Sequence, residues 1–80
     1  DERIEIPKFG RPEEAKRYFD AMTDGDQRSL QLLEQALAAA RANASVDPKY
    51  VAELERERKH RRTRLKAYQE ARGAVVASDP

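Results

Sequence analysis

At 80 residues the chain is one domain at most, and a core of that size holds a fold only marginally by itself, so help from a partner or a second copy is expected. Charged residues are 39% of the chain, yet 16 basic side chains nearly cancel 15 acidic ones, and a net charge of +1 excludes a long-range pull on nucleic acid or anionic membrane by the protein as a whole. There is no cysteine for a disulfide or thiolate metal site, no apolar run long enough to span a bilayer and no signal-peptide pattern, which together lead us to expect a cytoplasmic protein. The first residue is not Met, as in a processed or excised piece.

Residues 1–10, DERIEIPKFG, alternate charged and apolar at Ile4 and Ile6 and then meet Pro7 and Gly10, the pattern of an extended arm. Val75 and Val76 in the tail are the one candidate strand partner for it. Pro12 followed by Glu13 and Glu14 suits a helix start, because proline loses nothing at the first position and carboxylates complement the positive end of the helix dipole. Ala15, Tyr18, Phe19 and Met22 then form one apolar face, predicting a short helix over about 12–22. Thr23-Asp24-Gly25-Asp26 breaks it, with Asp24 as N-cap of the next helix and Gln27 in capping-box position.

From about 25 to 44 the apolar spacing is helical, through Leu30, Leu33, Leu37, Ala40 and Ala44. A second stripe of Leu32, Ala36 and Ala39 beside it makes a face wider than one neighbouring helix covers. Asn43-Ala44-Ser45 matches a glycosylation sequon, read here as chance for want of a secretory context. Asp47 is a good N-cap, Pro48 fits the first helical position, and Val46 with Val51 can form a hydrophobic staple. So short a connection makes antiparallel neighbours of the helices it joins, the third running over about 48–72 with Gly73 as its C-cap.

The third helix keeps its seam in spacing but not in chemistry. Val51 and Leu54 lead to Arg58 and Arg61 before Leu65 and Tyr68 resume, and folding the hairpin sets Leu37 and Leu33 opposite those two arginines. Their alkyl stems can cover the leucines while the guanidinium heads reach water, with Glu55 and Glu57 as i, i+4 partners of Lys59 and Arg61. Residues 58–66 also hold Arg58, Lys59, Arg61, Arg62, Arg64 and Lys66 and no acid, so this segment carries +6 and the remainder −5. These six are the candidates for an anion or nucleic-acid surface, although no aromatic residue interleaves them for base stacking and nothing matches a named nucleic-acid motif. The run lacks the apolar face that a membrane-surface helix requires.

Little in the chain points to catalysis. His60 lies among like charges as a solvated side chain, and Ser29, Ser45 and Ser78 have no partner set for nucleophilic work. Glu53 and Glu57 stand near arginines that make ion pairing their default. Asp20, Asp24 and Asp26 lack the spacing of a calcium loop, and helix capping accounts for them.

The expected architecture is therefore all-α: an arm over 1–10, a single helical domain over 11–73 with a short first helix and an antiparallel hairpin, three helices in all, and a tail over 74–80. The expected function is non-enzymatic: a protein-protein interaction or assembly module, either homo-oligomeric or a subunit of a larger complex. Phe19, Leu32, Leu33, Ala36, Leu37 and Tyr68 are its interface candidates, and the basic segment is a rim that orients an acidic partner. The alternative is a nucleic-acid accessory protein using the segment from Arg58 to Lys66. No cofactor, metal, membrane or small-molecule substrate is expected.

Overall fold

The structure, a computed structural model, describes residues 3–78; Asp1 and Glu2 of the expected arm and Asp79 and Pro80 of the expected tail lie outside the described residues. It is all-helical among those residues, and it has two helices where the sequence suggests three. Helix α1 is Pro12–Ala42 and helix α2 is Pro48–Ser78, each of 31 residues. They lie antiparallel in a hairpin measuring 55 × 23 × 15 Å.

The helix starts follow the local chemistry. Pro12 opens α1 after an extended Arg11, with Glu13 and Glu14 in the first turn. At the start of α2 the Asp47 side chain accepts the Lys49 N–H at 2.9 Å, the N-cap geometry expected ahead of Pro48. Between the helices the Asn43 side chain organises the turn, its Oδ1 accepting from the Ser45 N–H at 3.0 Å and the Ser45 hydroxyl at 2.6 Å. Asparagine here acts as a local turn residue.

The break expected at Thr23-Asp24-Gly25-Asp26 does not occur. Gly25 has no positive φ, and the Thr23 hydroxyl donates back to the Asp20 carbonyl at 3.1 Å. Asp24, expected as an N-cap, instead pairs with Arg28 one turn on at 3.2 Å. A helix-interior glycine costs about 1 kcal/mol relative to alanine. That is less than a break would forfeit here, because a continuous helix keeps Phe19, Asp26, Leu33 and Ala40 on one seam at seven-residue spacing. Gly73 fails as a C-cap for a related reason. The helix runs on through it, also without positive φ, and so delivers Val75 to the core.

Three layers fill the seam. At the open end, Ala15, Phe19 and Tyr68 form a buried cluster to which Ile4 and Phe9 of the arm and Val75 of α2 add. Phe9, Tyr18, Phe19 and Tyr68 meet ring to ring with centroids from 5.2 Å (Phe9–Tyr18) to 6.0 Å (Tyr18–Tyr68), within the range of favourable aromatic pairs. The arm is thus a strap over the aromatic cluster and not a strand; Val75 and Val76 lie within α2. Toward the turn, Leu37 and Ala40 are buried from α1, with Val51 and Leu54 half-buried on α2. The middle layer is ionic.

Candidate interaction surface

Asp26 stands at the centre of α1 and is only 1% exposed, the one buried charged residue among those described. Arg64 grips it with a two-pronged contact, Nε donating to Oδ2 at 2.9 Å and Nη2 donating to Oδ1. Arg61 adds an ion pair to Oδ1 at 3.5 Å and donates from Nε to Glu57 at 3.0 Å. Forked guanidinium on carboxylate is the strongest of the common charge-assisted hydrogen-bond geometries. Burial pulls the Asp26 pKa up, but the Arg64 hydrogen bond and the charges of Arg64 and Arg61 outweigh it and hold the carboxyl below its ordinary value. Hydrogen bonding to Asp26 fixes Arg64 more firmly in its charged form.

This clamp revises the picture drawn from the seam arithmetic. Arg61 does not send its head to water above Leu33; it turns to Asp26 and Glu57. The signal was present in the sequence, because Asp26 shares the helical phase of Phe19, Leu33 and Ala40 and so belongs to the seam and not to a cap.

The two flanks of α1 differ in kind. On one side, Asp20, Glu34 and Arg41, at multiples of seven residues, reach across to Arg72, Arg62 and Glu55 respectively, the last two pairs at 3.1 and 2.9 Å. Glu55 is thereby drawn to the facing helix and away from its expected partner Lys59. On the other side, Tyr18, Gly25, Leu32 and Ala39, again at seven-residue spacing, carry no charge at all. Ser29 and Ala36 lie between that flank and the seam. Leu32 is 66% exposed, the most exposed large apolar side chain among the described residues.

The interface candidates therefore separate. Phe19, Leu37 and Tyr68 are buried inside the hairpin, Leu33 and Ala36 are half-buried, and Leu32 alone stands out. Burial pushes the Tyr68 phenol above its ordinary value, helped by a hydrogen bond to Tyr18.

The anion candidates separate as well. Arg61, Arg62 and Arg64 are engaged by Asp26, Glu57 and Glu34. Arg58 and Lys59 line an open groove of about 580 Å³ on the outer face of α2 with Ala52, Glu55, Arg56 and Arg62, and Lys66 is exposed. A second open groove, of about 550 Å³, lies between the arm and the helix ends, with Ile6, Phe9, Ala15, Phe19, Ala74 and Val75 among its lining. His60 is half-buried, not the outward-facing side chain that its neighbours suggest. Among the described residues no group of three or more His, Asp or Glu is placed to hold a metal ion, and no helix is long and apolar enough to cross a membrane.

Searches of family models, of curated proteins and of solved structures find no match to this chain, so its fold and surfaces are read from its own geometry.

Proposed function

We propose that this chain is a non-enzymatic helical assembly module that docks through the uncharged flank of α1. The carrying observation is a segregation of charge between two helical stretches of equal length. Residues 27–40 of α1 hold two charged side chains, Arg28 and Glu34, where the chain's 39% average would place between five and six. Residues 53–66 of α2 hold ten. Two helices equally bathed in water have no reason to divide their charges so unevenly; a face reserved for contact does.

Surface area supports the reading. The chain exposes 6127 Å², whereas a compact chain of 9.2 kDa exposes about 4,900 Å². Its radius of gyration is 16.0 Å against about 12 Å for a compact domain of this length. The excess, about 1,200 Å², is larger than the roughly 800 Å² that each partner gives to a standard interface.

The test is the native size of the protein in a clarified lysate of its source cells, followed immunologically through size exclusion, beside a chain carrying Leu32→Asp. Migration in a species larger than the lone chain, lost in the variant, is expected. A lone chain in both samples would refute the assembly role. Leu32 is exposed, so the substitution leaves the hairpin core intact and its effect reads docking and not unfolding.

The nucleic-acid alternative has its support on the outer face of α2, where Arg56, Arg58, Lys59 and Lys66 stand clear of the ion pairs that occupy Arg61, Arg62 and Arg64. Four such cations correspond to a salt slope no steeper than about −4 on duplex DNA, which is weak binding at physiological salt. Titration with a short duplex at two salt concentrations, using wild type and Lys59→Glu, decides it; binding indifferent to that variant removes the option.

A further inference from the structure

Resting on that reading, we infer that the occupant of the uncharged flank is a second copy of this chain, with α1 packed antiparallel on the partner's α1 and Leu32 near the two-fold axis. Charge selects this arrangement. Copies meeting through α2 about an axis within residues 58–66 would bring together two stretches of six basic side chains and no acid, and an axis nearer residue 58 would need Glu55 and Glu57, which Arg41 and Arg61 already hold. Copies meeting α1 to α2, whether two-fold or head-to-tail, would lay Leu32 and its uncharged neighbours against a helix with ten charged side chains in residues 53–66, taking charge out of water with nothing on the flank to pair it. Of these arrangements, α1 on α1 alone brings neither like-charge repulsion nor uncompensated burial of charge.

The register follows from the seven-residue spacing. With Leu32 at the axis, each Leu32 meets its symmetry mate, and Gly25 lies level with the partner's Ala39 while Ser29 lies level with the partner's Gln35. The small side chains at Gly25, Ser29, Ala36 and Ala39 let the two helix backbones approach closely. Arg28, the one charge on this stretch of flank, is already held by Asp24 at 3.2 Å on its own helix and lies level with the partner's uncharged Ala36. Nothing at this contact repels.

Because the chain has no cysteine, a single introduced thiol reports the geometry without interference. The experiment combines the mass of the purified full chain across a concentration series with oxidative cross-linking of Leu32→Cys and, as control, Lys59→Cys on the outer face of α2. The expected result is a dimer mass, rapid disulfide-linked dimer from Leu32→Cys and none above the collision background from Lys59→Cys. Leu32→Asp should return the mass to that of one chain, with the helical circular-dichroism signal unchanged. A dimer that survives Leu32→Asp, or that cross-links through Lys59→Cys and not Leu32→Cys, overturns the α1-on-α1 contact while leaving the assembly role standing. A purified chain that stays single to millimolar concentration overturns the second-copy occupant; if it nevertheless migrates in a Leu32-dependent complex in lysate, the occupant is another protein and the assembly reading holds.

Discussion

Removing the carboxylate of Asp26 tests the hairpin at its centre. Asp26→Ala leaves Arg61 and Arg64 facing a vacated site inside the hairpin, and breaking a buried ion pair from one side costs about 3–5 kcal/mol. The two guanidinium side chains are 30% and 24% exposed and so swing partly into water, which places the expected loss near the lower end, about 3 kcal/mol. Against a total stability of about 4–12 kcal/mol for a chain of this length, that is a large fraction. Arg64→Met strands the buried acid with only the longer Arg61 contact and should cost a similar amount. The double variant Asp26→Leu with Arg64→Met exchanges the clamp for hydrocarbon and should lie within about 1 kcal/mol of wild type or above it. Urea denaturation followed by circular dichroism, all at one protein concentration, gives the cycle. If the single variants each lose less than about 1 kcal/mol and their effects simply add, the clamp carries no stability and the ionic layer is incidental. The same cycle has a pH signature. The folded-state pKa of Asp26 is depressed, so as pH falls through about 4 the unfolded chain binds a proton that the folded chain still refuses. The clamp's contribution is whole above the unfolded value and drains away as pH falls through the folded one. Wild type should therefore lose more stability below about pH 4 than the double variant does.

Gly25→Pro separates one continuous α1 from two helices: after Asp24 as an N-cap, proline would be welcome, whereas inside α1 it removes a helix hydrogen bond and costs about 3 kcal/mol. A Gly25→Pro chain that stays stable and fully helical would contradict the continuous helix. Gly73→Ala should stabilise by about 0.5–1 kcal/mol, since the position is helical, its φ is not positive and an added Cβ meets nothing within 4 Å; a loss in thermal or urea midpoint would count against it. Ultraviolet titration at the phenolate band should show Tyr68 ionising above its ordinary value near 10, a late step that Tyr68→Phe should remove. Because the folded-state value is raised, stability should fall as pH climbs past 10, and less so once Tyr68→Phe has removed the phenol.

How much of this was legible depends on how local the cause is. Pro12 with its two glutamates, and Asp47-Pro48, mark helix starts through contacts that span only a few residues, so their neighbours alone identify them. Thr23 to Asp26 carries the same vocabulary, and a glycine as well, but Asp26 answers to Arg64, 38 positions away. Local composition argues for a break, and the long-range clamp with the unbroken seam overrides it. The exposed stripe at Leu32 was readable because amphipathic phase is itself a local pattern, whereas the sorting of Phe19, Leu37 and Tyr68 into the interior required knowing how far the hairpin closes and that the arm folds over its open end.

The basic stretch of α2 acquires a reason from the same geometry. Its arginines are distributed between two tasks, and the inward task fixes register. Asp26 is bracketed by Arg61 and Arg64, one helical turn apart, so a shift of α2 by three residues that brought later positions alongside the acid would leave it one arginine in place of two, Arg64 with Ala67, and would set Arg41 against Arg58. Sliding it the other way keeps an arginine pair in reach, Arg58 with Arg61, and would be permitted by the clamp alone. The charged flank disfavours it: Arg41 would lose Glu55 for Ala52 and Asp20 would lose Arg72 for Gln69, while Glu34 would exchange Arg62 for Lys59. Each of these surface pairs contributes little to stability by itself, typically about 0–1 kcal/mol. Their value lies in the difference between registers, where a small term repeated along the hairpin separates one alignment from its neighbours. With the register held by charge on one flank and at the centre, and Tyr18 of the opposite flank drawn into the aromatic cluster, the rest of that flank, from Gly25 through Leu32 to Ala39, has no ion pair to keep, and its exposed leucine and small side chains suit the contact proposed above.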